Sequence, residues 1–164
     1  MVKYLAIFTI LIITSYGCSK TIDSPAIKYQ PFNELVFINV VEKKIIEGKY
    51  NQSIYSEKTK QKLINWLDKD IKTNGYEGYL EIKILDIVTN EKIIENGLII
   101  NISVKLDFSI FNSALDSRKI ILIRGEEYGQ LTGNFTLNDK SIEVENIIKK
   151  LIEKLNINLL KEVN

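Results

Sequence analysis

Cys18 is the only cysteine among the 164 residues of this chain, and there is no histidine. A thiol can serve as a nucleophile, a metal ligand, half of a disulfide or an attachment point. Without a second cysteine there is no disulfide, and without histidine there is no Cys-His or Ser-His-Asp catalysis, no His-ligated zinc and no haem on an imidazole. The carboxylates offer little more. Asp68 and Asp70 stand two apart in a helical pattern and point to different faces, and Glu126-Glu127 are strand neighbours that face opposite ways. The eight glycines form neither G-x-x-x-x-G-K-[ST] nor G-x-G-x-x-G, and no serine sits in a G-x-S-x-G elbow. The expectation is a protein with no catalytic residue, no cofactor and no metal ion, which leaves Cys18 to carry the chemistry.

What precedes Cys18 indicates its use. Lys3 supplies one positive charge, Tyr4 to Ile13 is an apolar run, and Thr14-Ser15-Tyr16-Gly17 is small or polar but for Tyr16. That is the order of a secretory leader, and the run falls short of the roughly 20 residues a spanning helix needs. Ser15-Tyr16-Gly17-Cys18 resembles the lipobox of bacterial lipoproteins, in which a small residue precedes an invariant cysteine. The resemblance implies a diacylglycerol thioether on Cys18, cleavage before it, acylation of the new amine and hence incorporation of palmitate. Two or more acyl chains hold a protein on a bilayer where one binds only marginally. The resemblance also implies, from Ser19 after the cysteine, the periplasmic face of the outer membrane in preference to the inner membrane.

The charge balance narrows the partners. Twenty-two Lys and Arg against twenty-one Asp and Glu give a formal charge of +1, which provides no field for nucleic acid. The expected organisation is a lipoprotein leader over 1–17, a lipidated cysteine and extended tether over 18–34 that holds both prolines, Pro25 and Pro31, and one domain over 35–164.

Within that domain, Leu35 to Val41 is β-branched and apolar and reads as a buried strand, followed by a polar loop over 42–52. Tyr55, Thr59, Leu63, Leu67 and Ile71 step by four with Trp66 beside them, which predicts a helix capped by Ser53 or Ser56 and stopped at Asn74-Gly75. Tyr79 to Val88 reads as a strand ending at a Thr89-Asn90 turn, and Asn96-Gly97 marks another turn. From Leu98 to Ile110 seven apolar residues alternate with a mostly polar set, the pattern of a long strand with one buried face. A hairpin connection over 112–117 leads to a strand over Lys119 to Tyr128. A second helix, from about Ser141 to Val163, carries Val144, Ile148, Leu151, Leu155 and Leu159 in one stripe, with Asn138, Asp139 or Ser141 as its cap. The predicted order is β-α-β-β-β-α: an α+β two-layer sandwich with two amphipathic helices on one face of a four-stranded, mostly antiparallel sheet.

Two surface features of the domain invite a binding role. Lys58, Lys62 and Lys69 fall on one side of the first helix and are a candidate surface for a partner or an anionic lipid head group, against the simpler reading of a solvated face. Tyr50, Tyr55, Trp66, Tyr76, Tyr79 and Tyr128 either cluster at one end of the sheet as a binding surface or finish the edge of the core.

Lipobox, tether, element order and the stretch Asn134-Phe135-Thr136-Leu137-Asn138 leading into the last helix resemble the LptE-like lipopolysaccharide-assembly lipoproteins. That resemblance implies two helices on a four-stranded sheet and a non-enzymatic role docked on an outer-membrane barrel protein. An accessory lipoprotein of an ABC-type transport system, binding a lipid or small ligand, is the alternative.

Overall fold

The computed structural model describes residues 34–48, 50, 53–112 and 117–163. The expected leader over 1–17, Cys18 and the expected tether up to Asn33 lie outside the described residues.

The alternating segment forms the centre of the sheet. Strand β5 (Gly97–Asn112) buries Leu98, Ile100, Ile102, Val104, Leu106 and Phe108 and turns the residues between them to the other face. It pairs antiparallel with β4 (Tyr79–Ile94) on one side and β6 (Ser117–Thr132) on the other, each 16 residues long. Strand β2 (Glu42–Glu47) lies parallel to β4, with Glu42 beside Tyr79 and Glu47 beside Ile84, so the four-stranded sheet runs β2-β4-β5-β6. Two helices cover one face: α1 (Ile54–Lys69) and α2 (Leu137–Val163). Their stripes, Leu63, Trp66 and Leu67 from α1 and Val144, Ile147, Ile148, Leu151, Ile152, Leu155 and Leu159 from α2, close over the inner sheet residues as one core. Burial of this apolar surface is the main force holding the two layers together.

Each helix starts on a side-chain cap. Ser53 Oγ accepts the Ser56 amide at 3.0 Å. The start of α2 is a reciprocal pair: the Asp139 carboxylate accepts the Thr136 amide at 2.8 Å while Thr136 Oγ1 accepts the Asp139 amide at 3.2 Å. The Thr136 amide and hydroxyl hold the Asp139 carboxyl below its ordinary value. Thr136, outside the three expected caps, is therefore the residue that sets where α2 begins.

The order β-α-β-β-β-α holds for the four-stranded sheet and its helices, with other residues in the first strand. Leu35 to Val41 contributes only the short β1 (Val36–Ile38), which pairs in parallel with β3 (Ile71–Thr73) as a separate two-stranded sheet. Val36 and Ile38 are buried, but Phe37 is 55% exposed, so this strand has a wet face. The residues expected as a loop supply β2 instead; Glu-Lys-Lys-Ile-Ile-Glu carries the charges that an edge strand tolerates. Helix α1 stops at Lys69, five residues before Asn74, and Ile71 is buried as part of β3. Thr89-Asn90 is no turn: β4 continues to Ile94, and Glu95-Asn96 make the tight hairpin into Gly97.

Candidate functional site

The chain comes into the domain at Glu34, and two core side chains receive it. Trp66 Nε1 donates to Asn156 Oδ1 at 3.1 Å, and Asn156 Nδ2 donates to the Glu34 carbonyl at 3.1 Å. Asn156 is 5% exposed on the apolar stripe of α2, a place where a polar group is retained only with its hydrogen bonds made. Strand β1 follows at once, and the Val36 amide donates to the Asp70 carbonyl at 3.0 Å. The backbone at Glu34 is thus tied through Asn156 of α2 to Trp66 of α1. The sequence carried a signal for this: Asn156 is the one amide among the apolar residues of that stripe.

A second junction was hidden in the predicted loop. Lys43 Nζ donates to the carbonyls of Leu67 at 2.6 Å, Ile71 at 2.8 Å and Asp68 at 2.9 Å. A cation placed on the last carbonyls of a helix satisfies acceptors that have no partner within it and complements the helix dipole. Burial lowers the Lys43 pKa, while the Asp68 carboxylate at 4.0 Å acts in the opposite direction. Nearby, Lys60 draws in Tyr50 Oη at 2.7 Å, Glu57 at 3.0 Å and Glu47 at 3.3 Å, tying the end of β2 to α1; these partners raise the Lys60 pKa.

Of the three candidate lysines, Lys58 is engaged within the body. It pairs with Glu145 of α2 at 2.8 Å and donates to Ser141 Oγ at 3.1 Å, and it holds the Glu145 carboxyl below its ordinary value. Lys62, one turn on and half-buried, also contributes to that field; Lys69 lies exposed in the last turn of α1 and has interactions of its own. The Glu145 carboxylate therefore serves the helix–helix seam.

The face of the sheet turned away from the helices is a ladder of cross-strand rows. At one end Tyr79 stacks on Phe111, with ring centroids 4.4 Å apart and planes 12° from parallel, and the Arg118 guanidinium lies 5.1 Å from the Phe111 centroid. Arg118 also donates to Ser109 Oγ at 2.9 Å, and Ser109 donates to Asp107 at 3.0 Å, so that Ser109 is buried on an otherwise open face. Lys83 pairs with Glu81 at 2.7 Å and is the main cause of the lowered Glu81 pKa. Further along, Glu126 accepts from Asn101 at 2.6 Å, and Tyr128 is 71% exposed.

The aromatic residues do not gather into one surface. Trp66 is in the core, Tyr50 and Tyr55 flank α1, Tyr76 is exposed on a connection, and Tyr79 and Tyr128 sit at opposite ends of the open face. Glu126 and Glu127 do face opposite ways: the first meets Asn101 on the open side, the second Lys154 of α2 at 3.0 Å. Among the described residues no three acidic or thiol groups are placed to hold a metal ion, and no helix is long and apolar enough to cross a membrane.

No protein-family model matches the chain, and no curated protein matches it in sequence. Solved structures with a similar arrangement include a minor lipoprotein from Acinetobacter baumannii, with a TM-score of 0.41 and 6% identity over 73% of this chain and 90% of that one. The rare lipoprotein B from Shewanella oneidensis gives a TM-score of 0.40 at 6% identity, covering 74% of this chain and 93% of its own. A neuraminyllactose-binding hemagglutinin homolog from Helicobacter pylori gives a TM-score of 0.41 at 13% identity, covering 83% and 92%. At these scores the likeness is one of loose arrangement and assigns no role to any residue.

Proposed function

We propose that this chain is a lipid-anchored envelope lipoprotein that performs no bond-making chemistry of its own and acts by docking on a protein partner. The observation that carries the reading is the position of Cys18: the sole cysteine stands directly after Gly17 and shortly beyond the apolar run Tyr4 to Ile13, where lipid attachment would use it. The geometry of the body supports the same reading. Asn156 holds the backbone at Glu34, directly before β1, and links it to Trp66 of α1. Several polar side chains of the sheet and helices are committed to structural pairs, and the open sheet face offers a broad surface to a partner.

Lipopolysaccharide assembly at the outer membrane is the most concrete version of this role. It draws its support from the lipobox-like Ser15-to-Cys18 segment and from two helices on a four-stranded sheet, the arrangement that the family resemblance implied.

Palmitate labelling of cells, with Cys18→Ala beside the unsubstituted chain, tests the anchor; membrane fractionation and affinity purification test the rest. The expected results are label lost with Cys18→Ala, the chain in the outer-membrane fraction, and an outer-membrane barrel protein recovered with it. Recovery of an inner-membrane transporter points instead to the accessory role in an ABC-type system. An unlabelled, soluble Cys18 chain overturns the lipoprotein reading altogether.

A further inference from the structure

Strand β6 is an edge of the sheet for its whole length, and no backbone hydrogen bond from another described element reaches its outer side. The phase of its pairing is fixed by the Gly133 amide, which donates to the Asn96 carbonyl at 3.0 Å in the same register. Hydrogen-bonded pairs alternate along an antiparallel ladder, so the odd-numbered residues of β6 exchange bonds with β5. The even-numbered ones, from Arg118 to Thr132, direct their amides and carbonyls outward. Lys154 marks this edge by reaching the Glu126 carbonyl at 2.9 Å.

We propose that this edge pairs antiparallel with the β6 edge of a second copy of the chain, about a two-fold axis at Gly125. Charge picks out both the partner and the register. Arg124 stands opposite Lys105 across the β5–β6 ladder, a like-charged pair, and among the described residues it has no ion-pair partner. Pairing about Gly125 sets Arg124 against the partner's Glu126 and, by symmetry, Glu126 against the partner's Arg124. It also sets Leu122, 51% exposed, against the partner's Tyr128, 71% exposed, and it uses nearly the full length of both strands. A slip of two residues one way brings Arg124 against Arg124, and the other way Glu126 against Glu126. Like charges directly opposite are destabilising, so of these three registers only the one about Gly125, which pairs residues 118–132 of each copy, matches charge. The product is one continuous sheet across two copies, held by main-chain bonds as in strand addition. Lys154 releases the Glu126 carbonyl when the strands meet and keeps its ion pair with Glu127 at 3.0 Å.

The test is the mass of the full chain in detergent, measured by light scattering over a concentration series. The expected result is a monomer–dimer equilibrium in which Arg124→Glu or Glu126→Arg alone raises the dissociation constant about tenfold or more, while the double exchange restores it to within about threefold. Trp66 fluorescence verifies that each variant is folded. Oxidative cross-linking then reads the register. Leu122→Cys with Tyr128→Cys gives a covalent dimer, whereas Ile120→Cys with Tyr128→Cys does not; the unsubstituted chain controls for Cys18. A chain that stays monomeric at every concentration, a double exchange no better than the single ones, or equal cross-linking in both cysteine pairs overturns the proposal. So does cross-linking in cells to a different protein, which would give the edge a foreign strand.

Discussion

The indole of Trp66 in α1 and the amide of Asn156 in α2 are joined by a hydrogen bond of 3.1 Å inside an otherwise apolar seam, and the same Asn156 holds the Glu34 carbonyl. One amide therefore satisfies a donor from one helix and an acceptor from the incoming chain. Asn156→Leu keeps the volume but strands both groups. The expected cost is about 1–3 kcal/mol, the usual penalty for leaving buried polar groups unpaired. Urea unfolding followed by the fluorescence of Trp66, the only tryptophan, measures it directly. A variant as stable as the parent would show that water replaces the amide.

Lys43 is predicted to matter more than an edge-strand lysine should. Lys43→Met retains the stem but removes the donor for two carbonyls at the end of α1 and one at the start of β3, and the expected loss is again about 1–3 kcal/mol. Its titration gives a second signature. Burial sets the folded pKa below the ordinary 10.5, so the unfolded chain binds more protons between the two values. Stability from this group therefore rises as pH climbs from the depressed value toward 10.5, and Lys43→Met lacks that rise. Denaturant midpoints of the two proteins between pH 8 and pH 10.5 distinguish them.

These two residues show what the sequence discloses and what it conceals. The strand from Leu98 to Phe108 is legible because burial on one face writes an alternation into consecutive residues, and α2 is legible for the same reason at helical spacing. Strand β2 is not. Its six residues include only two apolar ones, and its place is decided by pairing with Tyr79–Ile84 and by Lys43 reaching a helix end 24 to 28 residues later. Thr89-Asn90 has turn-forming side chains, yet Thr89 is held in β4 by the hydroxyls of Ser53 at 2.9 Å and Ser56 at 3.1 Å and by its register opposite Ile102. The Lys58–Glu145 pair was hidden for a related reason: the chain order of α1 places Lys58 on a flank, but only the packing of α2 brings Glu145 to it.

The Lys58–Glu145 pair predicts an acid-side effect. The ammonium at 2.8 Å lowers the folded pKa of Glu145 below the ordinary 4.5. A carboxyl shifted downward contributes stability that is complete above its unfolded pKa and is lost as pH falls through the folded one. Glu145→Gln should therefore leave a shallower decline of stability below pH 4.5, with the difference between the proteins disappearing at the lowest pH. The Glu145 side chain is 41% exposed, which limits the effect at neutral pH to about 1 kcal/mol or less and makes it sensitive to salt. Melting curves from pH 7 to pH 3 at two ionic strengths test both the direction and the screening. A pH-independent difference would assign the loss to packing at the seam.

Gly125 supports the close approach of α2 to β6. A Cβ built there lies 2.8 Å from Leu151 Cδ1 and 2.9 Å from Leu155 Cδ2, both of them tips of core side chains. Gly125→Ala therefore asks two leucines to shift, and Gly125→Val asks the helix to move as well. Overpacking of this kind costs about 1–3 kcal/mol, so Ala should sit near the bottom of that range and Val at or beyond its top. The contrast with Gly133 makes the prediction specific. Nothing lies within 4 Å of a Cβ there, but its φ of +71° is one that side chains rarely adopt, so Gly133→Ala is penalised by backbone strain alone. Shortening Leu151 to Ala in the Gly125→Ala background separates the two causes. It should recover part of the loss at Gly125, since the added methyl occupies space the leucine vacates, and recover nothing in a Gly133→Ala background. Thermal unfolding of the two glycine variants, Leu151→Ala alone and the two double variants reads the coupling as a pair of double-mutant cycles, with recovery measured against the cost of Leu151→Ala itself.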